Sequence, residues 1–134
     1  MSPILQPGLY IVATPIGNLS DLTVRAREVL SAANLVCVED SRVTGKLFNL
    51  LGIKQKMQPY HDHNGDAVRP GIISRLGSEA IALVSDAGTP LISDPGYKLV
   101  RDARAAGHMV TTIPGPCAAI AALTDELVRS SDPA

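Results

Sequence analysis

The residues that could do chemistry sit in four short polar stretches, each directly behind an apolar run. The longest follows the run 81–84. It contains Ser85, Asp86, Ala87, Gly88, Thr89 and Pro90, then Ser93, Asp94, Pro95 and Gly96. A buried strand that stops in such a loop leaves polar groups at the carboxyl end of a sheet, where open α/β sheets bind ligands. Gly88 would let a ligand approach the backbone closely, while Pro90 and Pro95 limit the loop's freedom. The loop has no phosphate-binding fingerprint, and a plain strand-to-helix turn with a cap would look the same.

The other three stretches are shorter. Thr14, Pro15, Gly17 and Asn18 follow the first apolar run; they form neither a GxGxxG pattern nor a lysine-containing phosphate loop, which argues against NAD or ATP. Glu39, Asp40 and Arg42 could supply a general base and an anion anchor, or simply a surface ion pair. Adjacent carboxylates on a strand point to opposite sides, so they are no obvious acid/base pair. Pro114, Gly115 and Pro116 turn the chain before Cys117 at a helix start, a place that favours a thiolate. No histidine partners Cys117 in the sequence, so a small packing residue is the simpler reading. His61 and His63 would share a face if extended and could then bind a metal. With no third ligand nearby, a polar rim or a solvated loop is the better reading, and no metal is expected.

Elements must bring these stretches together. The chain has 134 residues, 46% hydrophobic and 19% charged, with no Trp and one Phe, so aliphatic residues must fill a one-domain core. A net charge of −1 excludes a global basic footprint for nucleic acid, though not a local patch. Cys37 and Cys117 show no metal spacing and read as free thiols. Neither a signal peptide nor a membrane-length apolar run is visible, so a cytoplasmic location is expected. Strands are predicted at 8–14, 35–38, 56–59, 81–84 and 109–113. Helices are predicted at 22–33, capped by Ser20 or Asp21, at 43–51 with Gly52 behind it, at 70–76 with Pro70 in the first position, at 97–106, and at 117–123. This alternation predicts an α/β domain of three layers with a mostly parallel five-stranded sheet. All four polar turns would then lie on one edge.

Several motifs, taken together, resemble a known family. They are 8–23, 39–45 (Glu-Asp-Ser-Arg-Val-Thr-Gly), 61–64 (His-Asp-His-Asn), 82–97 with its Ser-Asp-Ala-Gly-Thr-Pro core, and 114–123. In order and spacing they are similar to the ribosomal RNA small subunit methyltransferase I family of the tetrapyrrole methylase superfamily. The resemblance implies S-adenosyl-L-methionine as cofactor and the ribose 2′-hydroxyl of a cytidine in 16S rRNA, within the small ribosomal subunit, as methyl acceptor. It also implies a homodimer of two-domain subunits. Asp86, Ala87, Gly88, Thr89 and Pro90, with Pro114, Gly115, Pro116 and Cys117, map onto the cofactor loops. Thr14, Pro15, Gly17, Asn18 and Arg42 map onto the acceptor side. Asp40, Glu39 and His61, in that order, are the candidate bases. Residues 1–123 would be the N-terminal domain. The tail 124–134 departs from the family pattern and the C-terminal domain is expected to be absent, leaving a chain inactive alone. The alternatives are a methyltransferase acting on a tetrapyrrole, which the form of the central loop disfavours, and a non-catalytic α/β interaction module.

Overall fold

The structure, a computed structural model, describes residues 5–14, 22–86 and 94–113. Five strands and four helices are found among them: β1 (Gly8–Thr14), α1 (Val24–Ala32), β2 (Leu35–Val38), α2 (Ser41–Leu51), β3 (Met57–Pro59), α3 (Gly65–Arg75), β4 (Ala80–Asp86), α4 (Asp94–Ala105) and β5 (Val110–Ile113). The expected helix at 117–123 lies outside the described residues.

The strands form one parallel sheet in the order β3-β2-β4-β1-β5. β1 lies between β4 and β5, with Leu9 opposite both Ile81 and Val110. Strands covered on both faces carry near-continuous apolar runs, and β2 is buried along its whole length. Successive residues serve opposite layers. Tyr10, Val12, Val36, Val38 and Ala82 face Ala26, Val29 and Leu30 of α1 and Phe48 of α2. Leu9, Ile11, Cys37, Ile81 and Leu83 face Ile72 of α3, Leu76, and Leu99, Val100 and Ala103 of α4. Right-handed crossovers require this division, because α1 and α2 carry the chain one way across the sheet while α3 and α4 carry it back.

All four helix starts differ from the sequence expectation. α1 is capped by Thr23, whose side chain accepts from the Ala26 N–H, rather than by Ser20 or Asp21. α4 begins at Asp94, three residues earlier than expected, because Pro95 suits the first turn of a helix. α3 begins at Gly65, not Pro70, and runs through the proline. Pro70 removes one helical N–H, but it and Gly71 are exposed, so the carbonyl left without a partner faces water. α2 starts at Ser41, slightly before the expected 43, and ends as expected at Gly52 in the left-handed region.

Candidate functional site

The order of strands locates a crevice. From β2 the chain leaves through α2 toward β3; from the neighbouring β4 it leaves through α4 toward β5, in the opposite direction. Diverging connections at the carboxyl ends of adjacent strands open the place where ligands settle in such sheets. An open cavity of about 640 Å³ is found there. Glu39, Asp40 and Arg42 line it behind β2, His61 behind β3, and Val84 on β4. Four sequence-predicted site residues are therefore gathered in one cavity.

Each is placed by local chemistry. Asp40 is the N-cap of α2, with Oδ1 accepting the Arg42 N–H at 2.9 Å. That backbone bond is the main reason its carboxyl lies below the usual carboxylate range, and the Arg42 guanidinium adds to it. Asp40 is thus held ionised. Arg42 extends into solvent, its side chain 90% exposed and Nε 3.6 Å from Asp40 Oδ1. The His61 turn is tied by Asn64, whose Oδ1 accepts the His61 N–H and whose Nδ2 donates to the Pro59 carbonyl, both at 2.8 Å. His61 Nδ1 accepts the His63 N–H at 3.2 Å. In the neutral ring the proton therefore sits on Nε2, making His61 a hydrogen-bond donor there. The same contact engages one nitrogen of the His61/His63 pair, and among the described residues no group of three His, Cys, Asp or Glu is arranged for a metal.

Thr14 and Asp86 end their strands side by side, as Cα partners across β1 and β4. Their side chains, and Pro15, Gly17, Asn18, Ala87, Gly88, Thr89, Pro90, Pro114, Gly115, Pro116 and Cys117, lie outside the described residues.

Sequence reasoning missed two residues. Thr44 lines the cavity and is only 8% exposed. A polar residue one turn after the Asp40 cap, on the helix face that returns to the strand ends, was the available signal. Tyr60, 2% exposed, stands between Pro59 and His61 on the rim. Its hydroxyl donates to the Pro95 carbonyl in the first turn of α4 and accepts from Arg69 Nη1 at 3.2 Å. Arg69 also binds Asp102 Oδ2 at 3.1 Å and pairs with Asp66. The rim is thereby bolted to α3 and α4. No sequence pattern announces such a bolt.

A doubly wound parallel domain with a carboxylate-lined cavity at its divergence point has the layout in which open α/β sheets hold small ligands. The chain belongs to the tetrapyrrole (corrin/porphyrin) methylase family, which it matches over residues 8–129. Among curated relatives, it is 53% identical over 121 residues to a protein of Mesorhizobium japonicum named ribosomal RNA small subunit methyltransferase I, covering 90% of this chain and 41% of that one. Proteins of the same name from Xylella fastidiosa and Escherichia coli O157:H7 are 57% and 54% identical over 88% and 89% of this chain, and 44% and 42% of theirs. The chain thus spans less than half the length of these relatives. Solved structures share the fold. A uroporphyrin-III-C-methyltransferase of Thermus thermophilus aligns with a TM-score of 0.63 at 22% identity, over 83% of this chain and 48% of that one. A diphthine synthase aligns at 0.64 and 18% identity, over 80% and 43%.

Proposed function

We propose that residues 1–123 form the N-terminal α/β domain of an S-adenosylmethionine-dependent rRNA methyltransferase acting on the 2′-hydroxyl of a cytidine in 16S rRNA. The small ribosomal subunit as partner, a homodimer and a cytoplasmic location belong to the same proposal. The relatives' shared name supports the substrate class. The observation that carries the reading is the cavity, which sets two carboxylates and a histidine at the divergence of β2 and β4.

The residues on the page suit the cofactor's chemistry. β4 and β1 end flush at Asp86 and Thr14, beside a cavity whose carboxylates favour a cationic sulfonium. Asp86, Ala87, Gly88, Thr89 and Pro90, with Pro114, Gly115, Pro116 and Cys117, would hold it. When bound, S-adenosylmethionine supplies an electrophilic methyl carbon whose transfer leaves a neutral thioether. The protein's share is position and proton handling. Asp40, fixed by the α2 amides and ionised, accepts a hydrogen bond from the acceptor hydroxyl. It is too weak a base to deprotonate that hydroxyl in advance. As the new C–O bond forms, the oxygen becomes acidic and its proton passes to Asp40 or Glu39. His61, donating from Nε2, can steady a ribose oxygen. Arg42 at the rim meets a backbone phosphate.

Titration with S-adenosylhomocysteine, followed through backbone amide NMR, tests the reading. Shifts at residues 85–90 and 114–118 are expected. Binding that moves only residues remote from the strands' carboxyl ends would refute it.

A further inference from the structure

Tyr60 joins the two sides of the proposed site without lining the cavity itself. Its backbone N–H donates to the Val38 carbonyl at 2.7 Å, which fixes it to the end of β2 directly before Glu39 and Asp40. Its hydroxyl reaches the other way and donates to the Pro95 carbonyl in the first turn of α4. The connection that leaves β4 at Asp86 re-enters at that turn, since α4 begins at Asp94. The ring between these two bonds is buried in the cluster of Cys37, Ile72 and Leu99. One rigid side chain therefore spans from the acceptor side to the point where the connection behind β4 ends.

The turn that follows is tied to the same place. Asn64 and Gly65 both donate backbone N–H groups to the His61 carbonyl, at 3.3 and 2.8 Å. A Cβ on Gly65 would lie 3.4 Å from both the Pro95 Cβ and the Tyr60 Cε1. The start of α3 thus rests against the start of α4, with the Tyr60 ring beside both. Arg69 of α3 donates to the Tyr60 hydroxyl at 3.2 Å, and the same guanidinium holds Asp102 of α4. Close-packed groups of this kind shift between discrete arrangements rather than deforming gradually. A change at the first turn of α4 is therefore passed on to the His61 turn.

We infer that Tyr60 is a positioning residue that makes the two sides of the site one unit: a ligand that orders the start of α4 also sets, through the Tyr60 hydroxyl, the His61 turn and the end of β2 that carries Glu39 and Asp40. This rests on the reading that residues 86–90 help to hold the cofactor, and it adds how their occupancy reaches the acceptor side. In-line transfer depends on fine placement of both reactants, so a shared anchor lets one bound reactant align the groups that meet the other. Linkage makes the effect mutual: whatever orders the acceptor side tightens cofactor binding by the same factor. Phe at this position would fill the same space but carry neither hydrogen bond.

The test titrates S-adenosylhomocysteine into the parent chain, Tyr60→Phe and Ile53→Val, and reads backbone amide shifts. Ile53 lies in the opposite core cluster, so its truncation controls for lost stability alone. In the parent, amides of residues 62–65, which do not line the cavity, are expected to shift along with those of 85–90. Tyr60→Phe should weaken binding about three- to tenfold. At saturation its shifts at 62–65 should fall to about half or less, while those at 85–90 persist. Ile53→Val should change neither the affinity nor the pattern. Parent shifts at 85–90 with none at 62–65 would overturn the inference and spare the cofactor reading. So would a Tyr60→Phe chain that behaves as the parent, or an Ile53→Val chain that reproduces its losses. No shifts anywhere at about 5 mM ligand would overturn the cofactor reading and this inference with it.

Discussion

Replacing Tyr60 with Phe should loosen the first turn of α4 without leaving a hole. The ring stays, so the apolar packing against Ile72 and Leu99 in the same cluster is kept. Only the hydroxyl goes. Two bonds go with it: the one donated to the Pro95 carbonyl and the one accepted from Arg69 at 3.2 Å. Burial raises the phenol's pKa, although Arg69 opposes this, so the group is a donor throughout the neutral range. Arg69, its side chain 11% exposed, keeps Asp102 and Asp66 as partners. The main loss is therefore one of the two hydrogen bonds to the Pro95 carbonyl, which keeps its place in the ladder of α4. One hydrogen bond is worth about 0.5–1.5 kcal/mol net, so a loss of about 1 kcal/mol is expected. For a chain of this size that lowers Tm by about 3–5 °C and the urea midpoint by about 0.5 M with m unchanged. Urea denaturation followed by circular dichroism reads the magnitude, and hydrogen exchange reads the location. Amides of the first turn of α4 should exchange faster, while those of α1 should lose protection only in proportion to global stability. A loss below about 0.3 kcal/mol, or one with no local exchange change in α4, would refute the reasoning.

Three further perturbations have defined outcomes. Gly8 has φ near +147°, and a Cβ there would lie 2.8 Å from the Met109 carbonyl oxygen, whereas Gly52 has φ near +70° and open space around it. Gly8→Ala should therefore cost more than about 2 kcal/mol and Gly52→Ala about 1 kcal/mol, an order that chemical denaturation can check. Cys37 is fully buried and its thiol is pushed up to about 12 by desolvation, so peptide-resolved alkylation at pH 8 should label it only as fast as the domain opens. Asp40→Ala removes both the α2 cap and the charge, while Asp40→Asn keeps a good cap. Only Asp40→Ala should lower the thermal midpoint at neutral pH markedly. The folded-state pKa of Asp40 is depressed, so its contribution is present above the unfolded pKa and is lost as pH falls through the folded one. The difference between Asp40→Ala and the parent should accordingly shrink in acid. If Asp40 takes the proton in methyl transfer, Asp40→Asn in a full-length enzyme should cut kcat far more than cofactor affinity, and an unchanged kcat would remove it from that role.

The sheet was largely legible because β1, β2 and β4 are buried on both faces and so carry unbroken apolar runs such as 8–14 and 35–38. The strand order was not legible. Nothing local says that β4 inserts between β2 and β1. α3 starts before the expected position 70 because an exposed face tolerates Pro70 inside the helix. Thr23 was overlooked as a cap because Ser20 and Asp21 offered the same chemistry a few residues earlier. Glu39, Asp40, Arg42 and His61 were found because they follow strand ends, and parallel strands bring such ends together. Thr44 and Tyr60 were missed because each gains its meaning from a distant partner: the cavity opposite for one, α4 for the other. The fold-level likeness to a uroporphyrin methyltransferase at 22% identity carries no substrate information.

The place of β1 in the sheet also bears on how the chain comes off the ribosome. Gly8–Thr14 is made first among the strands, yet both of its neighbours are made late, Ala80–Asp86 and then Val110–Ile113. During most of its synthesis the nascent chain holds an apolar ribbon with neither edge occupied. Contacts this far apart in sequence close slowly, and unpaired edges are what strands of other molecules attach to. The β2–β3 pair, by contrast, closes over a single crossover through α2 and can form early. Assembly of this domain would then proceed from one flank inward, with the first strand synthesised among the last to be enclosed. Chaperone dependence during expression, concentrated on the segment between β1 and β4, is the expected cellular consequence of an interior strand whose neighbours are both made after it.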